Sequence, residues 1–330
     1  MKACWYEKTG PARGVLVIGE MPTPEPGPGE VRVRIAVSAV NPSDTKARSG
    51  WRGRPLAFPR IVPHQDGAGT INKVGAGVDA KRMGERVWVY MAQRGRPFGT
   101  AAEYTVVPNE RAVALPDNAS FEDGACLGIP AMTAHRCLYA DGDIGGTAIL
   151  VQGGAGAVGF YAVQLAKLGG ARTVIATVGR AETAARAREA GADAVIDYTR
   201  ENVVERVSVV LKDQAPLDRI VEVAFGKNMA TDVALLKSGG VIATYSSDAV
   251  PDPVVPFTAM LMKDLTVRFV LIYEVPQNAR DHAARDINRL IAAAKLKHQI
   301  AEIFPLTRVA EAHERMEEGR AVGKLLIRLD

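Results

Sequence analysis

Gly154-Ala155-Gly156-Ala157-Val158-Gly159 fits G-x-G-x-x-G. It stands between the apolar run Thr147-Ala148-Ile149-Leu150-Val151 and the helical spacing of Val158, Tyr161, Ala162, Leu165 and Leu168. Glycines so placed permit a tight turn and close backbone approach, and a helix beginning there offers free N–H groups to a pyrophosphate. Dinucleotide binding is the chemistry this predicts; a glycine-rich turn without a ligand is the competing reading. An NAD-binding turn carries a carboxylate about 20 residues after the glycines to hold the ribose hydroxyls. Here that place reads Thr177-Val178-Gly179-Arg180. A cation in place of a carboxylate favours the 2′-phosphate of NADP(H), with Arg180 as its partner. An ordinary solvated cation at a helix start is the alternative for Arg180.

Other chemistry-bearing side chains carry less. Cys4, Cys126 and Cys137 are odd in number and have no C-x-x-C spacing, so buried reduced thiols are expected rather than disulfides or a thiolate zinc site. His135, His282, His298 and His313 fall in helical or flanking stretches without a paired Ser or Asp motif, and are expected as packed or surface residues. Ser246-Ser247-Asp248 reads as a loop after a strand at the cofactor edge, and the G-x-S-x-G turn of a triad hydrolase is absent.

The elements that must position the glycine turn alternate. After Thr147–Val151 and its helix come a strand at Thr173–Thr177, a helix from Ala181 to Ala190 ending at Gly191, and strands at Ala194–Asp197, Arg219–Val223 and Gly240–Thr244. Helical stretches near Val203–Leu211 and Met229–Lys237 separate them. This predicts a parallel, doubly wound sheet. An apolar edge strand is expected at Leu265–Tyr273, then helices at Asp281–Ala294 and Val309–Glu318 and a last strand at Lys324–Leu329. Before residue 123 the chain reads as β-rich. A Pro/Gly segment from Pro22 to Gly29 feeds the alternating Val31–Val37, and short strands are expected at Gly69–Val74, Arg86–Tyr90 and Ala102–Val107, as in a small barrel.

The 330 residues suit about two domains. With 47% apolar and 24% charged residues the composition is that of a globular protein, not a disordered one. A dispersed net charge of +4 gives no basic block for nucleic acid. The absence of a spanning apolar run or secretory h-region leads to the expectation of a cytoplasmic enzyme without membrane insertion. There is no internal repeat.

Several short stretches together resemble the medium-chain dehydrogenase/reductase superfamily, and within it the zinc-independent quinone oxidoreductase family that includes zeta-crystallin. They are Asn41-Pro42-Ser43-Asp44, Asp66-Gly67-Ala68-Gly69, Gln152 to Gly159 with Gln164 and Lys167, Gly191-Ala192-Asp193 to Asp197-Tyr198, and Gly323-Lys324-Leu325. They run through nearly the whole chain in the family's order. The resemblance implies an α/β fold in which a Rossmann doubly wound parallel sheet is inserted in a GroES-like β-barrel catalytic domain, with nicotinamide and substrate between them. The expected division is 1–122 for the N-terminal part of the catalytic domain and 123–265 for the dinucleotide-binding domain. Residues 266–330 would supply an edge strand and the return to the catalytic domain.

By the same resemblance zinc is not expected. The relatives' zinc ligands fall at Asn41, Gln65 and near Ile129, with His64 one residue away, and a catalytic zinc needs about three protein ligands. The resemblance further implies that Asn41 and Thr133 lie near nicotinamide and that Ala157 and Val158 face the pyrophosphate through backbone N–H. Gly179, Arg180 and Tyr198 would surround the 2′-phosphate, and Lys324 would return to the cofactor. Bland alternatives are an Asn-Pro turn for Asn41, core packing for Tyr198 and a helix cap for Thr133. Some relatives have a tyrosine where this chain reads Trp51-Arg52-Gly53-Arg54, so either an aromatic, electropositive mouth or a solvated loop is expected there.

Without a metal to polarise an alcohol, activated acceptors are favoured, since conjugation spreads the incoming charge. The expected activity is NADPH-dependent quinone reduction by hydride transfer. Enoyl or alkenal double-bond reduction is the second reading, and a non-catalytic NADPH-binding structural or sensing protein the third. Pairing with a second subunit would bury the apolar edge strand, and the resemblance implies a homodimer joined through the Rossmann sheets; cover from within the same chain is the alternative.

Overall fold

The structure is a computed structural model and describes residues 1–212 and 214–329. It divides into two units, one of Met1–Ile129 together with the residues from Ala284 on, the other of Pro130–Ala283.

The first unit begins with β1 (Lys2–Trp5), a short helix α1 (Ala12–Val15) and β2 (Val17–Glu20), which pairs antiparallel with β1. β3 (Glu30–Val40) is its spine. Alternation buries Val31, Val33, Ile35 and Val37 while Arg34 faces solvent, as a half-buried strand requires. α2 (Pro42–Ser49) follows at once, with Pro42 where the helix would leave an N–H unbonded. Then come β4 (Asp66–Val74), β5 (Arg86–Val89), β6 (Tyr104–Pro108), β7 (Ala112–Ala114) and α3 (Phe121–Ala125). β4 takes one edge of β3, and two register shifts against it bend β3.

α4 (Gly128–Tyr139) leads into the second unit. There β8 (Ala148–Val151), α5 (Ala157–Leu168), β9 (Thr173–Val178), α6 (Ala184–Glu189), β10 (Ala194–Asp197), α7 (Val203–Leu211), β11 (Leu217–Glu222), α8 (Phe225–Leu235), β12 (Leu236–Thr244), α9 (Phe257–Met262) and β13 (Thr266–Phe269) alternate as expected. The six strands are parallel in the order β10-β9-β8-β11-β12-β13. The order reverses at β8, so the glycine turn lies at the switch point where α/β sheets bind ligands. Leu150, Ile175, Ile196, Ile220 and Ile242 form the core beneath α7 and α8.

α10 (Gln277–Ala292) returns the chain to the first unit, where β14 (Ile300–Pro305), α11 (Val309–Glu317) and β15 (Lys324–Arg328) finish the larger sheet. Its order is β14-β15-β3-β4-β5-β7. β15 pairs with the end of β3 and β6 with its beginning, so both share the edge opposite β4.

Two expectations change. The strand read over Leu265–Tyr273 is paired only over Thr266–Phe269, because the chain then turns into a 3₁₀ turn at Ile272–Glu274. α8 begins at Phe225 rather than Met229 and stops at Leu235, where β12 starts without a loop. α3 packs on β3, β4 and β5, and β13 pairs with β12 at the edge of the parallel sheet.

Candidate active site

In the second unit the glycine turn is held from below by Thr177. Its Oγ1 accepts the Gly153 N–H at 3.0 Å and its carbonyl accepts the Gly154 N–H at 2.9 Å. The Thr177 hydroxyl donates to Gln152 Oε1 at 2.7 Å. The residue at the carboxylate position of NAD sites is therefore spent on the turn itself. Gly156 starts α5 and has no side chain to cap it, which leaves the first N–H groups, those of Ala157 and Val158, at an open positive helix end. Gly159 permits this: a Cβ there would stand 2.2 Å from the Gly153 carbonyl oxygen. This is a start of helix able to hold a pyrophosphate.

At the ends of β9 and β10, Tyr198 lies against Gly179, whose Cβ would be 2.3 Å from the Tyr198 hydroxyl. Tyr198 is half exposed, so it is not a core residue. Arg180 has a 40% exposed side chain and forms a loose ion pair, 3.8 Å to Glu182. Lys227 of α8 sits 5.8 Å from the Tyr198 ring centroid. It went unremarked in the sequence because the connection runs through the sheet order, not through spacing. Cations beside an aromatic ring and a glycine backbone are suited to an adenosine 2′-phosphate.

In the first unit, Asn41, Asp66 and Lys324 meet. Lys324 Nζ donates to Asn41 Oδ1 at 2.6 Å and lies 3.4 Å from Asp66 Oδ2, and Asn41 Nδ2 donates to the same carboxylate oxygen at 2.8 Å. The Ile129 N–H at the start of α4 reaches both Asp66 oxygens at 3.0 Å. Asn41 is thus more than a turn residue. Burial pushes the Asp66 carboxyl up, against the opposing pull of the Lys324 ammonium and the amides. Asp44, in the first turn of α2, accepts the Asn41 N–H at 2.8 Å. Burial, aided by the nearby Asp66 charge, raises its carboxyl to about 8, so Asp44 holds its proton at pH 7. Asp44 and Asp66 lie in the quoted sequence stretches, yet only burial reveals them as unusual acids.

Asp66 is further fixed through its main chain. Thr100 Oγ1 donates to the Asp66 carbonyl at 2.6 Å, Ser38 Oγ bonds Thr100 at 2.7 Å and His64 Nδ1 at 2.8 Å, and His64 Nε2 meets His313 Nε2 at 2.9 Å. Because a carbonyl only accepts, every proton points toward Asp66, and both imidazoles are neutral. Burial lowers His313 to about 3 and His64 well below its ordinary value. His64 holds a left-handed backbone, φ 80°, to enter this chain. Thr133 is buried in the interior of α4 in the other unit and is not a helix cap. Trp51 is ringed by Lys46, Arg52 and Arg54 at 4.9, 4.3 and 5.9 Å, an aromatic patch of positive charge.

Residues 27–117 match the alcohol dehydrogenase GroES-like domain, and residues 190–327 match the zinc-binding dehydrogenase family. A quinone oxidoreductase of Mus musculus is 30% identical over 295 residues, spanning 88% of this chain and 86% of its own. The chain belongs to the quinone oxidoreductase family. It shares that family's fold, a Rossmann sheet with a GroES-like domain. An Escherichia coli quinone oxidoreductase complexed with NADPH superposes with a TM-score of 0.86 at 26% identity over the whole of both chains. A structure described as an NAD-dependent alcohol dehydrogenase gives 0.89 at 27% identity, also over the whole of both.

The zinc named by one of those families does not suit this quinone oxidoreductase family member. At the three ligand positions Ile129 is hydrocarbon, Gln65 Nε2 donates to Gln93 Oε1 at 3.1 Å, and Asn41 Oδ1 faces an ammonium that excludes a second cation. The thiols of Cys4, Cys126 and Cys137 are buried and pushed up to about 12, away from the thiolate a metal needs.

Proposed function

We propose that this chain reduces quinones by hydride transfer from NADPH, without zinc. The Lys324–Asn41–Asp66 cluster carries the reading: it supplies hydrogen bonds and no Lewis acid, which suits acceptors that spread charge by conjugation. NADPH supplies the hydride. Ala157 and Val158 hold the pyrophosphate by N–H groups, with Gly154, Gly156 and Gly159 allowing its approach. Gly179, Arg180 and Tyr198, joined by Lys227, take the 2′-phosphate. Asn41 and Thr133 orient the nicotinamide, and Lys324 fixes the Asn41 amide by occupying its oxygen. The enzyme acts in the cytoplasm, where its three buried thiols stay reduced, and among the described residues no helix is long and apolar enough to cross a membrane.

The test is the initial rate of NADPH and NADH oxidation by metal-free protein with an ortho-quinone, a para-quinone, an enal and a simple ketone. Quinone turnover with NADPH is expected, with Arg180→Glu raising KM for NADPH about tenfold and leaving NADH unchanged, the loss of a charge-assisted contact. Exclusive use of the enal moves the assignment to double-bond reduction. NADH preference overturns the role of Arg180, and NADPH binding with no turnover leaves a non-catalytic binding protein.

A further inference from the structure

Beneath the glycine turn, two carboxyl groups share a site, and among the described residues no ion pair is formed to either. Glu222 ends β11 and Asp232 lies on α8; both are fully buried. The hydrogen bonds identify which one keeps a proton. Gly153 N–H is a fixed donor, and it points at Thr177 Oγ1, so the Thr177 hydroxyl must donate onward to Gln152 Oε1. That leaves Gln152 Nε2 to donate to Asp232 Oδ1 at 3.2 Å. Glu222 accepts from the Ala224 N–H and from Asn228 Nδ2 at 3.1 and 3.2 Å, the pattern of an ionised carboxylate. Asp232 Oδ2 is buried and accepts from no amide or hydroxyl, and the Asp232 and Glu222 carboxyls share a side-chain hydrogen bond, which fits Oδ2 as the oxygen that carries the proton.

We propose that Asp232 is a positioning residue for the dinucleotide turn: it holds the one proton of the Asp232–Glu222 pair and acts through Gln152 and Thr177 on Gly153. The inference rests on the NADPH reading above. Loss of the proton leaves two buried carboxylates side by side, and the repulsion is relieved by moving Asp232 away from Glu222, which carries Gln152 and the turn with it. Burial and the Glu222 charge raise Asp232 to about 9, placing the change at alkaline pH. Tyr245, which follows β12 and faces Glu222, is raised well above its ordinary value by burial and stays neutral there.

The experiment measures NADPH affinity by fluorescence quenching, with thermal unfolding alongside, from pH 5 to pH 10. Asp232→Asn keeps both hydrogen bonds and cannot ionise. The wild-type Kd is expected to rise about tenfold between pH 8 and pH 10, while that of the Asn variant stays within about twofold. At pH 7, Asp232→Leu should raise KM for NADPH about tenfold with kcat at saturation little changed, a split that Asp232→Asn does not show. A folded-state carboxyl raised from about 4 contributes stability that is full below that value and is lost up to about pH 9. The Asn variant's Tm should therefore gain on wild type across that window and level off above it. Parallel Kd curves for wild type and Asp232→Asn overturn the positioning role, and a pH-independent Tm difference overturns the shared proton. Absence of NADPH binding at any pH defeats the cofactor reading instead, and the Tm comparison still decides where the proton is.

Discussion

Lys324 and Asp66 place an ammonium and a carboxylate where neither reaches water, at 3% and 0% side-chain exposure. Removing one member of such a pair strands the other as a buried charge, at a cost of about 3–5 kcal/mol, whereas neutral replacement of both is tolerated. Lys324→Met is therefore expected to lower unfolding stability in denaturant by about 3 kcal/mol, and Lys324→Met with Asp66→Asn to recover most of it. Equal losses in the two variants would show that packing, not charge, makes the site. At this scale the sequence is legible only where partners are near in the chain. Gly154, Gly156 and Arg180 declare themselves by spacing, but Asp44, Asp66 and Asp232 look like ordinary surface acids until distant elements bury them.

The turn between β8 and α5 is the element whose form the sequence dictates most fully, since an apolar strand, close glycines and a helical apolar stripe leave few other solutions. Its tolerance is correspondingly small. Gly159→Ala would push a methyl into the Gly153 carbonyl and is expected to weaken NADPH binding at least about tenfold. Gly14→Ala in α1 meets nothing within 4 Å and should leave binding unchanged while stabilising the fold by about 0.4–1 kcal/mol. A normal Kd for the first variant would mean that the turn shifts freely. α2 escaped the periodicity reading because its residues are mostly polar and its place is set by the Asn41–Asp44 start rather than by an apolar face. β13 was overextended for the converse reason: Leu271 and Ile272 are apolar without being paired.

On the scale of the whole molecule, the second unit exposes Phe257, Leu261, Met262, Phe269 and Leu271 around α9 and β13. An open parallel edge flanked by such residues favours pairing with another copy. We expect a homodimer through this edge, seen as a dimeric sedimentation coefficient at micromolar concentration and lost in Phe269→Lys with Leu261→Lys; a monomeric wild type would refute it. The parallel sheet was readable from alternation alone, because each strand and helix is local. The larger sheet was not, since β15 joins β3 from the far end of the chain. That join has a consequence for biosynthesis. Lys324 follows Asn41 by 283 residues, so on a ribosome adding about 5–20 residues per second it arrives roughly 15–60 s later. Throughout that interval Asp66 lacks the Lys324 ammonium, and the buried Asn41–Asp66–Lys324 cluster is completed only when β15 is in place.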